Sequence, residues 1–113
     1  MTDPLHLLRG TLDGLVLKTL SNRPMHGYGI ADFVHATTHG VLEVEDGALY
    51  RSLHRMESRG WLESEWGISE QGRRARFYRL TSAGRRRLKA EERDWRRYAE
   101  AVAKVFASET EAS

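Results

Sequence analysis

Residues 46–80 read DGALYRSLHRMESRGWLESEWGISEQGRRARFYRL, and the rest of the 113-residue chain is arranged around this stretch. Its first part predicts an amphipathic helix, because Leu49, Leu53 and Met56 recur at spacings of four and three residues and so share one face. Asp46 is expected to cap the start of this helix, since its carboxylate can accept hydrogen bonds from the free N–H groups of the first turn. Gly60 is expected to end it, because glycine adopts the left-handed conformation without penalty.

The remainder of the stretch predicts a β-hairpin. Leu62, Ser64 and Trp66 alternate with two glutamates, which is the period-two pattern of a strand, and a second alternating run ends at Leu80. The residues between the two runs are polar and include Gly72, so a tight turn is expected there. Four guanidinium groups fall at or beside the tip of this hairpin, on Arg73, Arg74, Arg76 and Arg79.

The outward face of the predicted helix and the hairpin tip together have the chemistry of a DNA-binding surface. A helix that offers hydrogen-bonding and cationic groups fits the major groove, and the early residues of such a helix reach deepest. Arg51 and His54 are therefore candidates for base contacts, whereas Tyr50 either touches DNA or packs at the foot of the helix. Guanidinium groups bind phosphate oxygens through two parallel hydrogen bonds, which makes the hairpin arginines candidates for backbone contacts.

The composition restricts the class of protein. A chain of 113 residues with 40% hydrophobic and 30% charged residues fits one soluble globular domain. It contains no cysteine, which excludes disulfides and cysteine zinc sites, and no apolar run approaches the roughly 20 residues that span a bilayer. The first residues lack the pattern of a secretory signal, so a cytoplasmic protein without a membrane partner is expected.

The sequence also lacks the motifs of an enzyme. No serine–histidine–acid set, glycine-rich phosphate loop or pair of carboxylates stands out, so neither catalysis nor a cofactor is expected. His35 and His39 are four residues apart, as metal ligands on one helix face can be. Two histidines without a third ligand nearby do not predict a metal site.

The charge is distributed unevenly along the chain. Residues 73–97 contain eleven basic and three acidic side chains, whereas residues 1–72 contain six basic and ten acidic ones. A basic half favours an anionic partner, and nucleic acid is the usual one. The alternative is an arginine-rich helix face that is only solvated.

Two further helices are predicted before the opening stretch. The second opens at Met25 and ends at His39–Gly40. The first has one apolar face, formed by Leu5, Leu8, Leu12, Leu15, Val16 and Leu20. Three helices followed by a two-stranded wing is the order of a winged helix-turn-helix. We therefore expect a mostly α fold with a small β-hairpin (α+β), in which residues 1–80 form the DNA-binding domain.

A long last helix is predicted over residues 81–107, with Thr81 as its N-cap. Its apolar residues recur with heptad spacing over a length that a small domain cannot cover, so this seam is expected to pair with a second copy of the chain. The alternative is that the seam folds back on its own domain. Residues 108–113 show no apolar pattern and are expected to be disordered. The predicted seam consists of Leu88, Trp95, Tyr98, Ala99, Val102, Val105 and Phe106.

With these motifs in view, the chain resembles the PadR-like transcriptional regulators, of the short type with a single C-terminal helix. The resemblance covers about residues 5–106. It implies a dimeric DNA-binding protein, usually a repressor, which in many members a small effector releases from DNA. The matching residues are Gly10–Asp13, Leu17, Met25–Ile30, Gly47–Tyr50, Leu53, Met56–Glu57, Gly60–Leu62, Gly72–Arg76, Tyr78–Thr81 and Gly84.

The resemblance also implies roles for individual residues. It places Trp95 at the dimer centre near an effector cavity, where Trp95 and Tyr98 would either line that cavity or only pack the interface. It leaves the role of His54 open. The residues that it places at the DNA, on the recognition helix and on the wing, are Gly47, Ala48, Tyr50, Arg51, Arg73, Arg74 and Arg76.

These predictions describe a cytoplasmic homodimeric regulator that binds a palindromic operator in double-stranded DNA and responds to a small-molecule effector. The alternative is a winged-helix interaction module that uses its basic face to bind an acidic protein.

Overall fold

The computed structural model describes residues 5–6 and 10–110, and of residues 5–6 only the backbone. Over these residues the chain forms four α-helices and five short β-strands, which confirms the predicted α+β class and the winged helix-turn-helix order. The elements are β1 (Leu5–His6), α1 (Leu12–Leu20), β2 (Met25–His26), α2 (Gly27–Thr37), β3 (Leu42–Glu43), α3 (Asp46–Ser58), β4 (Leu62–Ile68), β5 (Arg74–Leu80) and α4 (Ser82–Ala107).

The first helix is shorter than predicted. It begins at Leu12, because Gly10 has a φ of 87°, a left-handed conformation that interrupts a helix. Leu5 and His6 are extended instead and pair in parallel with Leu42 and Glu43 of β3. The predicted helical start at Leu5 is therefore wrong, and its continuation through residues 7–9 lies outside the described residues.

The second helix also starts later than predicted, at Gly27. Met25 and His26 form β2, which pairs with β5 and completes an antiparallel sheet in the order β2-β5-β4. His26 then caps α2, since its Nδ1 atom accepts a hydrogen bond of 3.0 Å from the N–H group of Gly29. The helix ends before His39 and Gly40, whose φ angles are 53° and 79°, as the sequence predicted.

The third helix spans the predicted residues, but its start is built differently. Glu45, not Asp46, is the N-cap, and it makes no side-chain capping bond. Asp46 is the first helical residue, where its carboxylate faces the positive end of the helix dipole. Gly60 follows the helix with a φ of 78°, which confirms it as the terminator.

The core lies between the first three helices and the inner face of the sheet. Leu49, Leu53 and Met56 of α3 are almost fully buried, as their spacing predicted. Each buried side chain of this size stabilises the fold by about 1.5–3 kcal/mol relative to exposure. They pack with the other helices and the sheet through Val16, Leu17, Leu20, Met25, Ile30, Val34, Leu62, Tyr78 and Leu80.

The last helix begins at the predicted cap. The Thr81 hydroxyl accepts a hydrogen bond from the N–H group of Gly84 and donates one to the carbonyl of Gly60. Gly84 and Leu88 are the buried residues of α4. The 26-residue helix then extends past the domain, in a molecule that measures 62 × 36 × 21 Å. None of the helices in the described residues is long and apolar enough to cross a membrane.

The predicted tail lies only partly within the described residues. Ser108 ends α4 as its C-cap, and residues 108–110 follow without regular structure. Residues 111–113 lie outside the described part of the chain.

Candidate nucleic-acid interface

The exposed side of α3 carries the predicted base-reading residues. Arg51 and His54 are exposed, and Gly47 and Ala48 are half-buried in the first turn. The Arg51 side chain extends back along the helix, so that its Nη1 atom lies 3.2 Å from where a Cβ atom of Gly47 would be. The Glu45 Oε1 atom lies at the same distance from that position. Glycine at position 47 therefore leaves room for both charged groups.

Tyr50 contacts the preceding helix and is also exposed. A Cβ atom added to Gly27 would stand 2.9 Å from the Tyr50 hydroxyl oxygen, yet 46% of Tyr50 remains exposed. The structure is thus compatible with both alternatives for Tyr50, contact with DNA and packing at the foot of the helix. The ring packs at the start of α2, and a large part of it stays accessible.

Arg55 also lies on α3, but its guanidinium group is not free to contact DNA. Its guanidinium pairs with the carboxylate of Asp13 on α1, and the hydroxyl of Ser52 donates to the same carboxylate oxygen. Ser52 is 2% exposed, so this contact satisfies a buried hydroxyl. Asp13 therefore fixes α3 against α1 and removes Arg55 from the candidate interface.

The four hairpin arginines occupy different environments. Arg73 is exposed at the turn, next to Gly72 with its φ of 76°. The Arg74 guanidinium carbon lies 4.6 Å from the centre of the Trp66 ring, a cation–π contact. Arg79 lies at the base of the hairpin, where it pairs with Glu63 at 2.8 Å and Glu65 at 3.7 Å. Its predicted place at or beside the tip is therefore wrong, because the register sets Arg79 opposite Glu63.

Arg76 joins the wing to the recognition helix. Its Nε atom donates to the Ser64 hydroxyl at 2.7 Å, and Ser64 donates to the Glu57 carboxylate of α3. The Nη2 atom of Arg76 also lies 4.0 Å from that carboxylate. This chain of contacts fixes the angle between the wing and α3, and it partly neutralises the Arg76 charge.

Tyr78 is buried in the core next to these contacts between Arg76, Ser64 and Glu57. Burial raises the pKa of its phenol, because the ionised form would lose its hydration. The negative charge of Glu57 raises the pKa further, and the positive charge of Arg76 opposes the rise. The phenol therefore stays neutral well into alkaline solution.

The predicted seam of α4 is mostly exposed in the single chain. Trp95 is 46% exposed and Phe106 is 86% exposed, and the Trp95 and Tyr98 ring centres are 6.0 Å apart. Leu88 is the exception, since it is 7% exposed and belongs to the core of its own chain. Leu88 is thus unavailable to a partner, because the first two turns of α4 already pack against the domain.

The histidine pair stays on the surface. His35 and His39 are both exposed, and within the described residues no group of three histidine, aspartate or glutamate side chains could hold a metal ion.

Several contacts at this surface have no signal in the sequence pattern. Each of them joins residues that are distant in sequence. They are the pairing of β2 with β5, the contacts of Asp13 with Ser52 and Arg55, and the hydrogen bonds that link Arg76, Ser64 and Glu57. The one local signal is His26, whose position three residues before Gly29 suits a capping side chain.

The comparisons with known proteins agree with this geometry. The profile of the transcriptional regulator PadR-like family matches residues 16–90. A transcriptional regulator of Mycobacterium tuberculosis is 36% identical over 78 residues, which are 69% of this chain and 69% of that protein. A solved PadR family transcriptional regulator from Eggerthella lenta is 34% identical with a TM-score of 0.73, over 89% of this chain and 86% of that one. Another, from Clostridium difficile, is 27% identical with a TM-score of 0.72, over 87% of this chain and 100% of that one.

The family profile covers well over half of the chain, and the fold similarity extends over most of it. The predicted resemblance is confirmed, and so is the expectation that the protein is not an enzyme, since this family consists of transcriptional regulators. The chain belongs to the PadR-like family of transcriptional regulators.

Proposed function

We propose that this protein regulates transcription by binding a palindromic site in double-stranded DNA as a homodimer, and that it acts as a repressor in the cytoplasm. The observation that carries the proposal is the junction of α3 with the wing. Tyr50, His54 and Glu57 follow one edge of α3 at helical spacing, and Glu57 is bonded to Ser64 of the wing. A recognition helix and an arginine-bearing hairpin are thereby held as one surface.

Each part of this surface suits a different part of the duplex. Arg51 and His54 are exposed on α3 and would meet base edges in the major groove, where Gly47 and Ala48 allow close approach. Tyr50 would contact the adjoining phosphate. Arg73, Arg74 and Arg76 would lie along the backbone and supply affinity with little sequence information.

The exposed seam of α4 supports the dimer. A continuous stripe of large exposed apolar side chains on one helix usually marks an interface, and Trp95, Tyr98 and Phe106 are 46%, 57% and 86% exposed. Paired α4 helices would bury Trp95, Tyr98 and Phe106, together with Ala99, Val102 and Val105, and would set the distance between two recognition helices. This assigns residues 1–80 to DNA binding and residues 81–107 to dimerisation. A Trp95→Ala chain that sediments as a dimer and keeps its DNA affinity would contradict the role of Trp95 as an anchor.

The paired rings also suit an effector site. Trp95 and Tyr98 of two copies would present flat aromatic faces to each other, which can bind a planar or cationic small molecule. Such a ligand would change the spacing of the recognition helices and release the protein from its operator. A panel of planar aromatic cations should quench tryptophan fluorescence in the natural chain, and the response should disappear in Trp95→Ala.

The first test is the selection of genomic fragments by the purified protein at about 150 mM salt. Enrichment of a palindrome with two equivalent half-sites is expected. Binding without enrichment would contradict sequence-specific regulation, and the absence of binding would favour the acidic protein partner.

A second test separates the wing from net charge. Arg73→Ala with Arg74→Ala should weaken binding to all duplexes and reduce the slope of log K against log salt by about 0.9 for each phosphate that is no longer neutralised. Arg85→Ala with Arg86→Ala removes the same charge from exposed positions on α4 and should leave the slope unchanged. Arg51→Ala should mainly relax sequence preference, by about 1–3 kcal/mol at one base pair. If the two double variants had the same slope of log K against log salt, the proposed contact between the wing and DNA would be contradicted.

A further inference from the structure

The outer half of the wing exposes an apolar surface beside its arginines. Trp66 is 56% exposed and Ile68 is 68% exposed, although both are large hydrophobic side chains. They lie on the same face of β4 as Ser64, because alternate residues of a strand share a face. Ser64 is bonded to Glu57 of α3, so this face of the wing is the one that adjoins the recognition helix.

The arginines opposite these residues belong to the same face. In the strand register, Trp66 pairs with Arg76 and Ile68 pairs with Arg74. The guanidinium carbons of Arg74 and Arg76 lie 4.6 Å and 5.5 Å from the centre of the Trp66 ring. The indole thus lies close to two cations, and both arginines are exposed.

Trp61 has a structural role and differs in its environment from Trp66. It also lies between two guanidinium groups, those of Arg59 and Arg87 at 5.2 Å and 4.9 Å. Trp61 is half-buried and packs against the core cluster, however, whereas Trp66 lies beyond the part of the hairpin that reaches the core. Packing of the single chain therefore accounts for Trp61 and not for the exposed surface of Trp66.

We propose that Trp66 is a DNA-contacting residue of the wing, which meets the deoxyribose edge of the backbone while Arg74 binds the adjacent phosphate. The inference deepens the proposed function and rests on it. Deoxyribose offers the apolar surface that an indole and the Ile68 side chain can cover, and the phosphates on either side fit the flanking cations. The wing then binds the backbone through both its charges and its apolar surface.

This contact has a distinct salt signature. Cations that neutralise phosphates release counterions and so determine the slope of log K against log salt. An apolar contact releases none. Removal of the Trp66 indole should therefore lower affinity by a similar factor at every salt concentration.

The experiment compares three variants on one duplex that the natural chain binds. Trp66→Ala should weaken binding by about tenfold per half-site without changing the salt slope, since burial of half an indole is involved. Trp66→Lys should steepen the slope by about 0.9 per protomer, because it adds a cation beside the phosphates. Val41→Ala, which truncates another half-exposed apolar residue, is the control and should bind as the natural chain does.

The position of the indole is followed directly by fluorine NMR of protein labelled with 5-fluorotryptophan. The chain has three tryptophans, and Trp66→Phe identifies the resonance of Trp66. We expect this resonance to shift when duplex is added. The inference would be overturned if Trp66→Ala bound DNA as tightly as the natural chain, or if Trp66→Lys left the slope of log K against log salt unchanged. It would also be overturned if the Trp66 resonance did not shift. In each case the proposal that the protein binds DNA would still stand.

Two further outcomes are also decisive. A reduced slope in Trp66→Ala would mean that the indole only positions Arg74, which contradicts direct contact. Failure of the natural chain to bind any duplex would overturn the proposed function and this inference together.

Discussion

The Tyr50 ring of α3 lies so close to Gly27 of α2 that a Cβ atom at Gly27 would stand 2.9 Å from its hydroxyl oxygen and 3.0 Å from its Cζ atom. The two helices of the helix-turn-helix thus meet at a residue without a side chain. The position of the Tyr50 ring therefore depends on the absence of a side chain at Gly27. This matters for function because Tyr50 is a proposed DNA contact.

Gly27→Ala should displace the Tyr50 ring and not the backbone, since the ring is half-exposed and can rotate. The expected cost in unfolding free energy is about 1 kcal/mol, the lower end of the range for overpacking. In a Tyr50→Ala background the same substitution should cost nothing, because the clash is gone. Urea unfolding of the four chains at equal protomer concentration measures this coupling. Additive costs would contradict the contact.

Gly84 and Gly14 should respond in opposite ways to alanine, although both are helical. A Cβ atom at Gly84 would come 2.1 Å from the backbone oxygen of Trp61, so α4 would have to move away from the start of β4. A loss of about 3 kcal/mol or more is expected. A Cβ atom at Gly14 would meet Glu91 at 3.5 Å, an ordinary contact, so Gly14→Ala should gain about 0.5–1 kcal/mol from helix propensity. Urea unfolding distinguishes the two, and equal signs would contradict the packing.

The parts of the fold that the sequence predicts correctly are those with a strong local period. Leu49, Leu53 and Met56 mark the buried face of α3 without knowledge of any other element. Gly60 and Thr81 likewise mark helix ends through properties of single residues.

The errors arise where a local pattern continues across a break or where a contact is distant. The leucine spacing runs through Gly10, so the sequence predicts a helix where the backbone has a φ of 87°. Two-residue strands such as β2 are too short to show a period. The heptad spacing includes Leu88, because spacing alone does not reveal that α1 and the core already cover the first turns of α4.

Charged residues of the candidate site show the same limit. Arg55, Arg76 and Arg79 look alike in the sequence, yet each has an acidic partner in the fold. Arg73 and Arg55 differ in their availability to DNA only through tertiary contacts. The sequence therefore predicts the type of surface but not which cations remain free on it.

Asp13→Ala should destabilise the chain through Ser52. The substitution removes the carboxylate that accepts from the buried Ser52 hydroxyl, and an unsatisfied buried donor costs about 1–3 kcal/mol. Asp13→Asn keeps an acceptor and should cost less. Ser52→Ala should recover part of the stability in the Asp13→Ala background, because no orphaned hydroxyl remains. Thermal unfolding of the four chains tests this, and an absence of recovery would assign the cost to Arg55 alone.

Tyr78 should make stability fall in alkaline solution. Its folded pKa is raised above the unfolded value of about 10, so the folded chain retains a proton that the unfolded chain loses. The stabilising contribution is fully present below about pH 10 and decreases as pH rises toward the folded pKa. Tyr78→Phe should show a shallower alkaline decline when urea midpoints are measured from about pH 8 to about pH 11. Equal declines in the two chains would contradict the shift.

The wing arginines should differ in their effect on the salt dependence of DNA binding. Arg73 is exposed at the turn, and its removal should reduce the slope of log K against log salt by about 0.9 per protomer. The Arg76 guanidinium is bonded to Ser64 and lies 4.0 Å from the Glu57 carboxylate, so Arg76→Ala should reduce the slope by less. Arg76→Ala should instead loosen the wing, because it removes the bond between β5 and Ser64. Titrations of one duplex at several salt concentrations compare the two variants. A larger slope change for Arg76 than for Arg73 would mean that phosphate displaces Glu57, and that the contact between the wing and α3 breaks when DNA binds.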